Sequence, residues 1–157
     1  NANKENVKIY CVDTFAGSSE HANLKLPQDF SDMFKDNLRY FIGRNMIHVC
    51  QGRSDDTKIL EQFDEASLDY IMVDGAHEYE PVIDDIQNWW PKLKPTGVMF
   101  GDDYQLASVS EAVKMTLPAV MAGGLGVNGS QEQTWYASKD DAYKFFEKAV
   151  PGVNCLK

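Results

Sequence analysis

A stretch near the middle of the chain, residues 67–104, limits most strongly what this sequence can fold into. It reads SLDYIMVDGAHEYEPVIDDIQNWWPKLKPTGVMFGDDY. The mostly apolar run Leu68–Val73 lacks polar alternation, as is typical of a strand covered on both faces, and Gly97–Gly101 has the same character. Between the two runs, apolar residues recur at helical spacing: Val82, Ile83, Ile86, Trp90 and Leu93. The pattern predicts two neighbouring parallel strands joined by a right-handed helical crossover.

Acidic residues follow both of these strands. Asp74 comes directly after the first strand, and Asp102 and Asp103 come directly after the second. Parallel strands finish at the same edge of a sheet, and in open α/β sheets ligands bind at that carboxyl edge. We therefore expect the three carboxylates to lie together at a ligand-binding edge.

Length, composition and charge set the outer limits. The chain has 157 residues, 43% of them hydrophobic, which fits one domain with a sizeable core. The formal net charge is −9 and the pI is about 4.7, so the chain lacks the excess of basic residues that nucleic acids and anionic membranes attract. We expect neither as a partner.

The cysteines and the apolar runs bear on the compartment. Cys11, Cys50 and Cys155 are odd in number and show no CxxC spacing, which favours buried thiols in a reducing compartment over a zinc site. No apolar run approaches the roughly 18 residues of a membrane span, and the chain opens without a signal peptide. These features lead us to expect a cytoplasmic protein.

The remaining elements alternate along the chain, which predicts an α/β fold with a mostly parallel sheet. The other expected strands are Val7–Val12, Met46–Cys50 and Thr134–Ala137. Further helices are expected over 27–42, around 59–63, over 108–120 from a capping box at Ser108–Glu111, and after Ser138.

A glycine-rich segment invites a misleading interpretation. Gly124, Gly126 and Gly129 satisfy the pattern G-x-G-x-x-G. That fingerprint binds a dinucleotide only when a strand leads in and a helix leads out, so that the helix N-terminus meets the pyrophosphate. Here a helix is expected before the segment and a strand after it, so we interpret it as a flexible connection.

Two residues at the ends of early strands have alternative interpretations. Asp13 closes the first strand and is either a helix or turn cap or, as an acid at the carboxyl end of a strand in a nucleotide-binding sheet, a ligand of ribose hydroxyls. Ser54 follows the strand Met46–Cys50 and is either the cap of the next helix or part of a loop that holds an adenine ring; these two roles are compatible. The loop after Asp13 is long enough to cover a site and contains His21.

The segment VDTFAGSSEH, followed by residues 67–104, resembles the class I S-adenosylmethionine-dependent methyltransferases. It is most similar to a small-molecule O-methyltransferase branch with an acidic-Gly-x-His-x-Tyr segment, a tryptophan-rich helix and a closing Gly-Asp-Asp-Tyr. The resemblance covers roughly residues 7–115. It implies a Rossmann-like sheet with flanking helices, S-adenosylmethionine as cofactor and methyl transfer to a small-molecule hydroxyl.

The resemblance also implies roles for individual residues in cofactor binding. Asp13 matches the acid that binds the ribose of the cofactor. Gly52, Ser54 and Asp55 match the loop that meets the adenine. Asp74 matches the residue beside the amino acid part of the cofactor and the reacting centre.

In the metal-dependent members of the family, the matching acids hold a divalent ion, which here implies Asp74, Asp102 and Asp103. Three converging carboxylates raise one another's pKa unless a cation lies among them, and Mg²⁺ or a similar ion prefers such oxygen ligands. The ion would activate and position a substrate hydroxyl, and His77 could accept its proton. The alternatives are helix capping and solvated charge for the aspartates, and a helix N-terminal residue without a role for His77.

One departure from the family is large. The family begins with a strand, a glycine-rich loop and a helix that hold the methionine part of the cofactor, and this chain starts at the second strand. We interpret residues 1–157 as one methyltransferase-like domain that is N-terminally incomplete. A sheet without that strand leaves open edges on Val7–Val12 and Leu68–Val73, so we expect these strands to pair directly or a homodimer to cover them. A catalytically silent binding or scaffold domain, or another nucleotide-binding α/β protein, is the alternative function.

Residues 1–157 alone should bind S-adenosylmethionine poorly and show little methyl transfer, because no glycine-rich loop supplies backbone amides to the cofactor. A version that carries an upstream strand, loop and helix should be active. Calorimetry with S-adenosylmethionine and Mg²⁺ on both chains checks this. Tight cofactor binding by residues 1–157 alone would mean that another loop, such as Thr14–His21, holds the methionine part.

Overall fold

The computed structural model describes residues 7–17, 30–117, 119–123, 133–140 and 154–155. The chain divides into two compact units, Asn1–Ile59 (unit 1) and Leu60–Lys157 (unit 2), and each is described by itself. One domain over residues 1–157 stays a prediction. In the described part of the chain, none of the helices is long and apolar enough to cross a membrane.

Unit 1 contains a pair of parallel strands and three short helices. Its elements are β1 (Ile9–Asp13), α1 (Phe30–Asn37), α2 (Arg39–Gly43), β2 (Ile47–Gln51) and α3 (Thr57–Leu60), which ends at the boundary between the units. Strands β1 and β2 pair along their length, from Ile9 opposite Ile47 to Asp13 opposite Gln51. Both strands therefore end at the same edge.

The helix predicted over 27–42 is two helices in the structure. Leu38 has φ −102° and ψ 6°, which lies outside the helical range and separates α1 from α2. Residues 27–29 lie outside the described residues. The apolar spacing was recognised correctly. The break in the backbone at Leu38 does not change that spacing, so the sequence pattern could not reveal it.

Unit 2 is built on a five-stranded mixed sheet in the order β3-β4-β6-β5-β7. Its elements are β3 (Leu68–Val73), α4 (Tyr79–Trp89), a 3-10 turn (Trp90–Lys92), β4 (Leu93–Gly101), α5 (Ala107–Thr116), β5 (Met121–Gly123), β6 (Thr134–Ser138) and β7 (Asn154–Cys155). Strands β3 and β4 are parallel, with Val73 opposite Gly101. The pairs β4/β6, β5/β6 and β5/β7 are antiparallel. The predicted α/β class with a Rossmann-like sheet and flanking helices is confirmed.

Two strands of this sheet were not predicted. Strand β5 lies where the sequence suggested the end of a helix, and β7 is only two residues long. Helix α5 stops at Thr116 because Leu117, which precedes a proline, is extended (φ −108°, ψ 137°). A three-residue strand is too short for a period-two pattern to reveal it.

The core of unit 2 lies between the sheet and helices α4 and α5, which pack against each other. The apolar stripe of α4 buries Val82, Ile86 and Trp89, while α5 buries Val109, Ala112 and Val113. Trp89 meets Phe63 edge to face, with ring centroids 5.1 Å apart, so both rings belong to this core. The largest fully buried side chain is Trp135 of β6, at 1% exposure.

Each unit presents an edge strand with exposed apolar side chains. In unit 2, β3 is an edge strand, and its Tyr70 and Met72 are 69% and 57% exposed. In unit 1, Ile9 and Tyr10 of β1 are 49% and 41% exposed. The two strands belong to different sheets, so the prediction that they pair directly is wrong, since each pairs with its own parallel neighbour instead. A homodimer that covers such edges stays a prediction.

Gly101→Ala should destabilise the protein by about 1–3 kcal/mol or more, because the core there is already full. A Cβ at Gly101 would lie 2.5 Å from the Val73 carbonyl oxygen, which is backbone of the neighbouring strand, and 2.6 Å from the buried Trp135 ring. Gly43→Ala is the matched control, since a Cβ there meets nothing within 4 Å. Urea unfolding followed by circular dichroism should show a large loss for the first variant and none for the second. Equal stability of the two variants would contradict this packing argument.

Candidate active site

The carboxylates predicted at the edge of the sheet do lie together there. Asp74 follows β3 and Asp102 follows β4, each one position beyond the pair Val73 and Gly101, and Asp103 comes one position later. These three side chains and His77 line one cavity. The same cavity is lined on its apolar side by Val82, Val109 and Trp135. The acidic side chains, which form the rim of this cavity, therefore lie beside a buried apolar wall.

Asp103 occupies an unusual backbone position within this rim. Its φ is +60°, in the left-handed region that few residues other than glycine adopt, though aspartate tolerates it better than most. The turn is closed by the amide of Leu106, which donates to the Asp103 carbonyl at 2.9 Å. Asp103 and His77 then meet, with Oδ2 and Nε2 3.0 Å apart.

The His77–Asp103 contact is partly shielded from water. The two side chains are 29% and 23% exposed, so their attraction is screened less than that of a surface pair. The imidazole nitrogen donates to the carboxylate, and the pair becomes an ion pair when His77 is protonated. An imidazole held at one nitrogen by a carboxylate has a fixed orientation and tautomer.

Three potential ligand atoms converge at this point. One atom each from Asp74, His77 and Asp103 lie within 4.8 Å of one another. Hard cations hold their oxygen ligands at roughly 2.0–2.6 Å, so atoms this close together can share one ion. The prediction for the metal was Asp74, Asp102 and Asp103. Asp102 lines the same cavity but is not part of the convergent trio, and His77 is.

The electrostatics of the rim single out Asp74. The pKa of this carboxyl is raised above its ordinary value of 3.8, first by partial burial and then by the negative charges of Asp102 and Asp103. His77 acts in the opposite direction and lowers it. The repulsion expected among converging carboxylates is therefore present, and a cation among them would relieve it.

The backbone around His77 differs from the predicted arrangement. Helix α4 begins at Tyr79 with Glu78 as its N-cap, so His77 lies in the loop before the helix. The capping box predicted at Ser108–Glu111 is wrong, because α5 begins at Ala107 with Leu106 in the N-cap position and has no side-chain cap. The Ser108 hydroxyl instead donates to the His77 carbonyl oxygen at 2.7 Å.

Another side chain contacts the site without having been predicted. The Gln105 amide nitrogen donates to Asp103 Oδ1 at 2.8 Å. Its carbonyl oxygen accepts from the Gln133 backbone amide at 2.9 Å. Nothing in the sequence pattern distinguishes Gln105 or Ser108 from ordinary polar residues after a strand, so only the three-dimensional contacts reveal them.

In unit 1, Asp13 and Gly52 come together at the carboxyl edge of β1 and β2. The Gly52 amide donates to the Asp13 carbonyl at 2.9 Å. Asp13 Oδ1 accepts from the Phe15 amide at 2.6 Å, so the turn-capping role of Asp13 is confirmed. Phe15 has φ +58°, and this bond stabilises its left-handed conformation. Ribose binding by Asp13 stays a prediction.

The loop after β2 has its own local contacts. Arg53 donates two hydrogen bonds to Asp55, at 2.8 and 2.7 Å, and they hold the pKa of that carboxyl below its ordinary value. Asp56, not Ser54, takes the N-cap position of α3 and accepts from the Lys58 amide at 2.9 Å. Adenine binding by Gly52, Ser54 and Asp55 stays a prediction.

Other candidates fall outside the description of the structure. His21 and its neighbouring serines lie outside the described residues, as do Gly124, Gly126 and Gly129 of the rejected glycine pattern. Cys11 and Cys50 have raised pKa values because they are partly buried, which fits unreactive thiols.

A family model described as a methyltransferase domain matches residues 1–104, which include both groups of site residues. The chain belongs to this family of methyltransferase domains. The predicted resemblance to methyltransferases is thereby confirmed. One curated relative, the uncharacterized protein y4gI of Sinorhizobium fredii, is 30% identical over 99 residues. That match covers 63% of this chain and 10% of y4gI, so the chain spans about a tenth of that relative.

Solved structures of methyltransferases share the fold of this domain. Apo CalS11, a TDP-rhamnose 3'-O-methyltransferase, superposes with a TM-score of 0.60 at 16% identity, covering 85% of this chain and 59% of CalS11. The O-methyltransferase NovP gives 0.53 at 17%, covering 85% and 60%. A precorrin-6y C5,15-methyltransferase from Geobacter metallireducens gives 0.56 at 18%, covering 85% and 81%. The domain thus spans about three fifths of each O-methyltransferase.

Asp74→Asn should stabilise the metal-free protein at about pH 7, because the folded-state pKa of Asp74 is raised above 3.8. The folded state holds the Asp74 proton more tightly than the unfolded state does. The stability that this proton contributes is therefore fully present below the ordinary pKa and is lost as the pH rises through the raised folded-state pKa. The advantage of the variant should therefore shrink as the pH falls toward 3.8. Urea unfolding in EDTA across this range measures it, with Asp84→Asn, an exposed α4 position, as the control. An advantage independent of pH would contradict the electrostatic explanation.

Proposed function

We propose that this methyltransferase domain transfers a methyl group from S-adenosylmethionine to a hydroxyl of a small molecule, with assistance from a divalent cation such as Mg²⁺. The observation that carries the proposal is the convergence of Asp74, His77 and Asp103 within 4.8 Å at the ends of two parallel strands. Family membership supplies the reaction class. The activity of CalS11, a TDP-rhamnose 3'-O-methyltransferase, supports a hydroxyl as acceptor.

The residues at the rim fit a hard cation. Asp74 and Asp103 of the convergent trio would hold it through carboxylate oxygens, the donors that Mg²⁺ prefers, and Asp102 on the same cavity would add a third. The pKa of Asp74 is raised first by partial burial and then by the charges of Asp102 and Asp103, and a cation at the rim would offset that repulsion. When bound, the ion would supply Lewis acidity that lowers the pKa of a coordinated hydroxyl.

His77 is suited to receive the proton of that hydroxyl. His77 Nε2 lies 3.0 Å from Asp103 Oδ2, so the carboxylate orients the imidazole. Asp103 would also stabilise the imidazolium that forms on protonation. The apolar wall of Val82, Val109 and Trp135 limits water on the other side of the cavity.

Residues of unit 1 would bind the nucleoside part of the cofactor. Asp13 stands at the carboxyl end of β1 with Oδ1 engaged by Phe15, which leaves the rest of its carboxylate to accept ribose hydroxyls. Gly52 follows β2, where a Cβ would lie 2.6 Å from Ile59 Cδ1, so a side chain there would displace the buried Ile59 side chain. Ser54 and Asp55 extend that loop. S-adenosylmethionine supplies the electrophilic methyl group when bound.

Asp103→Ala should abolish cation binding, because it removes one carboxylate of the convergent trio. The fold should survive, since Asp103 lies beyond the end of β4 and outside the buried core. Calorimetric titration with Mg²⁺ and Mn²⁺ measures the affinity, and Asp84→Asn serves again as the control. Unchanged cation affinity in Asp103→Ala would show that the metal assignment is wrong.

His77→Gln separates the two roles that the geometry allows for His77. As a proton acceptor, His77 can be replaced with cation affinity retained, whereas as a ligand it cannot. Asp102→Asn should lower cation affinity and leave the proton acceptor in place, because Asp102 acts only as an oxygen donor in this proposal. If neither cation nor S-adenosylmethionine binds to this chain or to a longer version of it, the domain is catalytically silent.

A further inference from the structure

We infer that Gln105 and Ser108 are positioning residues that hold the two halves of the His77–Asp103 pair. Gln105 holds the Asp103 carboxylate, and Ser108 holds the backbone of His77. The inference rests on the proposed function, since it names the side chains that keep the proposed proton acceptor and its carboxylate in register.

The Asp103 carboxylate is held at both of its oxygens. Oδ1 accepts from the Gln105 amide at 2.8 Å, and Oδ2 lies 3.0 Å from His77 Nε2. Two donors on opposite oxygens fix the rotation of the carboxylate plane. Because the Asp103 backbone is in the left-handed region, its side chain leaves the chain in a direction that an ordinary strand end would not give.

Gln105 is itself oriented by the main chain. Its carbonyl oxygen accepts from the Gln133 amide at 2.9 Å, which determines which end of the side-chain amide faces Asp103. The Gln133 carbonyl oxygen in turn accepts from the Tyr104 amide at 2.9 Å. The turn after β4 is thereby linked at two points to the residue that precedes β6.

Ser108 performs the matching task for His77. Its hydroxyl, on the first turn of α5, donates to the His77 carbonyl at 2.7 Å in a part-buried position. Helix α5 is anchored in the core through Val109, which is 3% exposed. The loop that carries His77 is therefore tied to a rigid element. Removing a group that orients metal-site side chains in this way typically lowers metal affinity or activity about 10–100-fold.

The experiment compares Gln105→Ala and Ser108→Ala with matched controls. Gln87→Ala removes an exposed amide from α4, and Ser110→Ala removes a hydroxyl from the same helix as Ser108, where it bonds only within α5. NMR of the His77 imidazole in the metal-free protein reports its tautomer and order, and Mn²⁺ titration reports the affinity of the site. We expect changed His77 signals and roughly tenfold weaker Mn²⁺ binding in both test variants, with no change in the controls.

Two further variants keep the inference open to contradiction if a test variant is unstable. Ser108→Thr keeps the hydroxyl and should restore the His77 signals. Gln105→Glu keeps an acceptor for Gln133 but places a second carboxylate against Asp103, so it should perturb the site more than Gln105→Ala. Unchanged His77 signals and Mn²⁺ affinity in all test variants would overturn the inference. Altered His77 signals in a protein that binds no metal at all would instead count against metal assistance and leave the positioning roles standing.

Discussion

The parallel pairing of β3 with β4 is the constraint on which the candidate site depends. With Val73 opposite Gly101, the next residues on both strands are acids, and they meet because both strands end at one edge. A shift of one residue in this register would separate Asp74 from the pair after β4 and would turn each side chain to the other face. The crossover through α4 connects the two strands, and its buried stripe packs against β3 and α5.

Packing under that edge explains why the register is so narrowly set. Gly101 has no room for a side chain between the Val73 carbonyl and the Trp135 ring, so β3, β4 and β6 approach as closely as backbones allow. Trp135 fills the space beneath the acidic rim and lines the same cavity. A rigid apolar base of this kind lets polar groups above it keep one geometry, which a site on flexible loops would not provide.

The predictions that succeeded rest on repeated patterns. The mostly apolar run of β3 and the helical spacing in α4 each involve several residues, so the limits of β3 were predicted correctly and the acids after the strands were located. The failures involve single residues: the break at Leu38, the extended residue before Pro118, and the N-cap position taken by Leu106 instead of Ser108. Side-chain partners such as Gln105 and Ser108 were beyond prediction, because their contacts join segments 28 and 31 residues apart or arise from a turn geometry that no pattern encodes.

The edge of the sheet in unit 2 accumulates unfavourable features that the rest of the unit must offset. Asp103 has a left-handed backbone, and the pKa of Asp74 is raised by partial burial and then by the charges of two neighbouring carboxylates. Strained backbone and crowded like charges persist only where surrounding structure fixes them, and here the fixed surroundings are the Trp135 base and the bonds from Gln105 and His77. A cation bound at the rim would convert the repulsion among the carboxylates into attraction, and it would favour the folded state over the unfolded one by mass action. The same carboxylates that destabilise the metal-free domain would then stabilise the metal-bound domain, so cation binding and stability at this edge are coupled through Asp74.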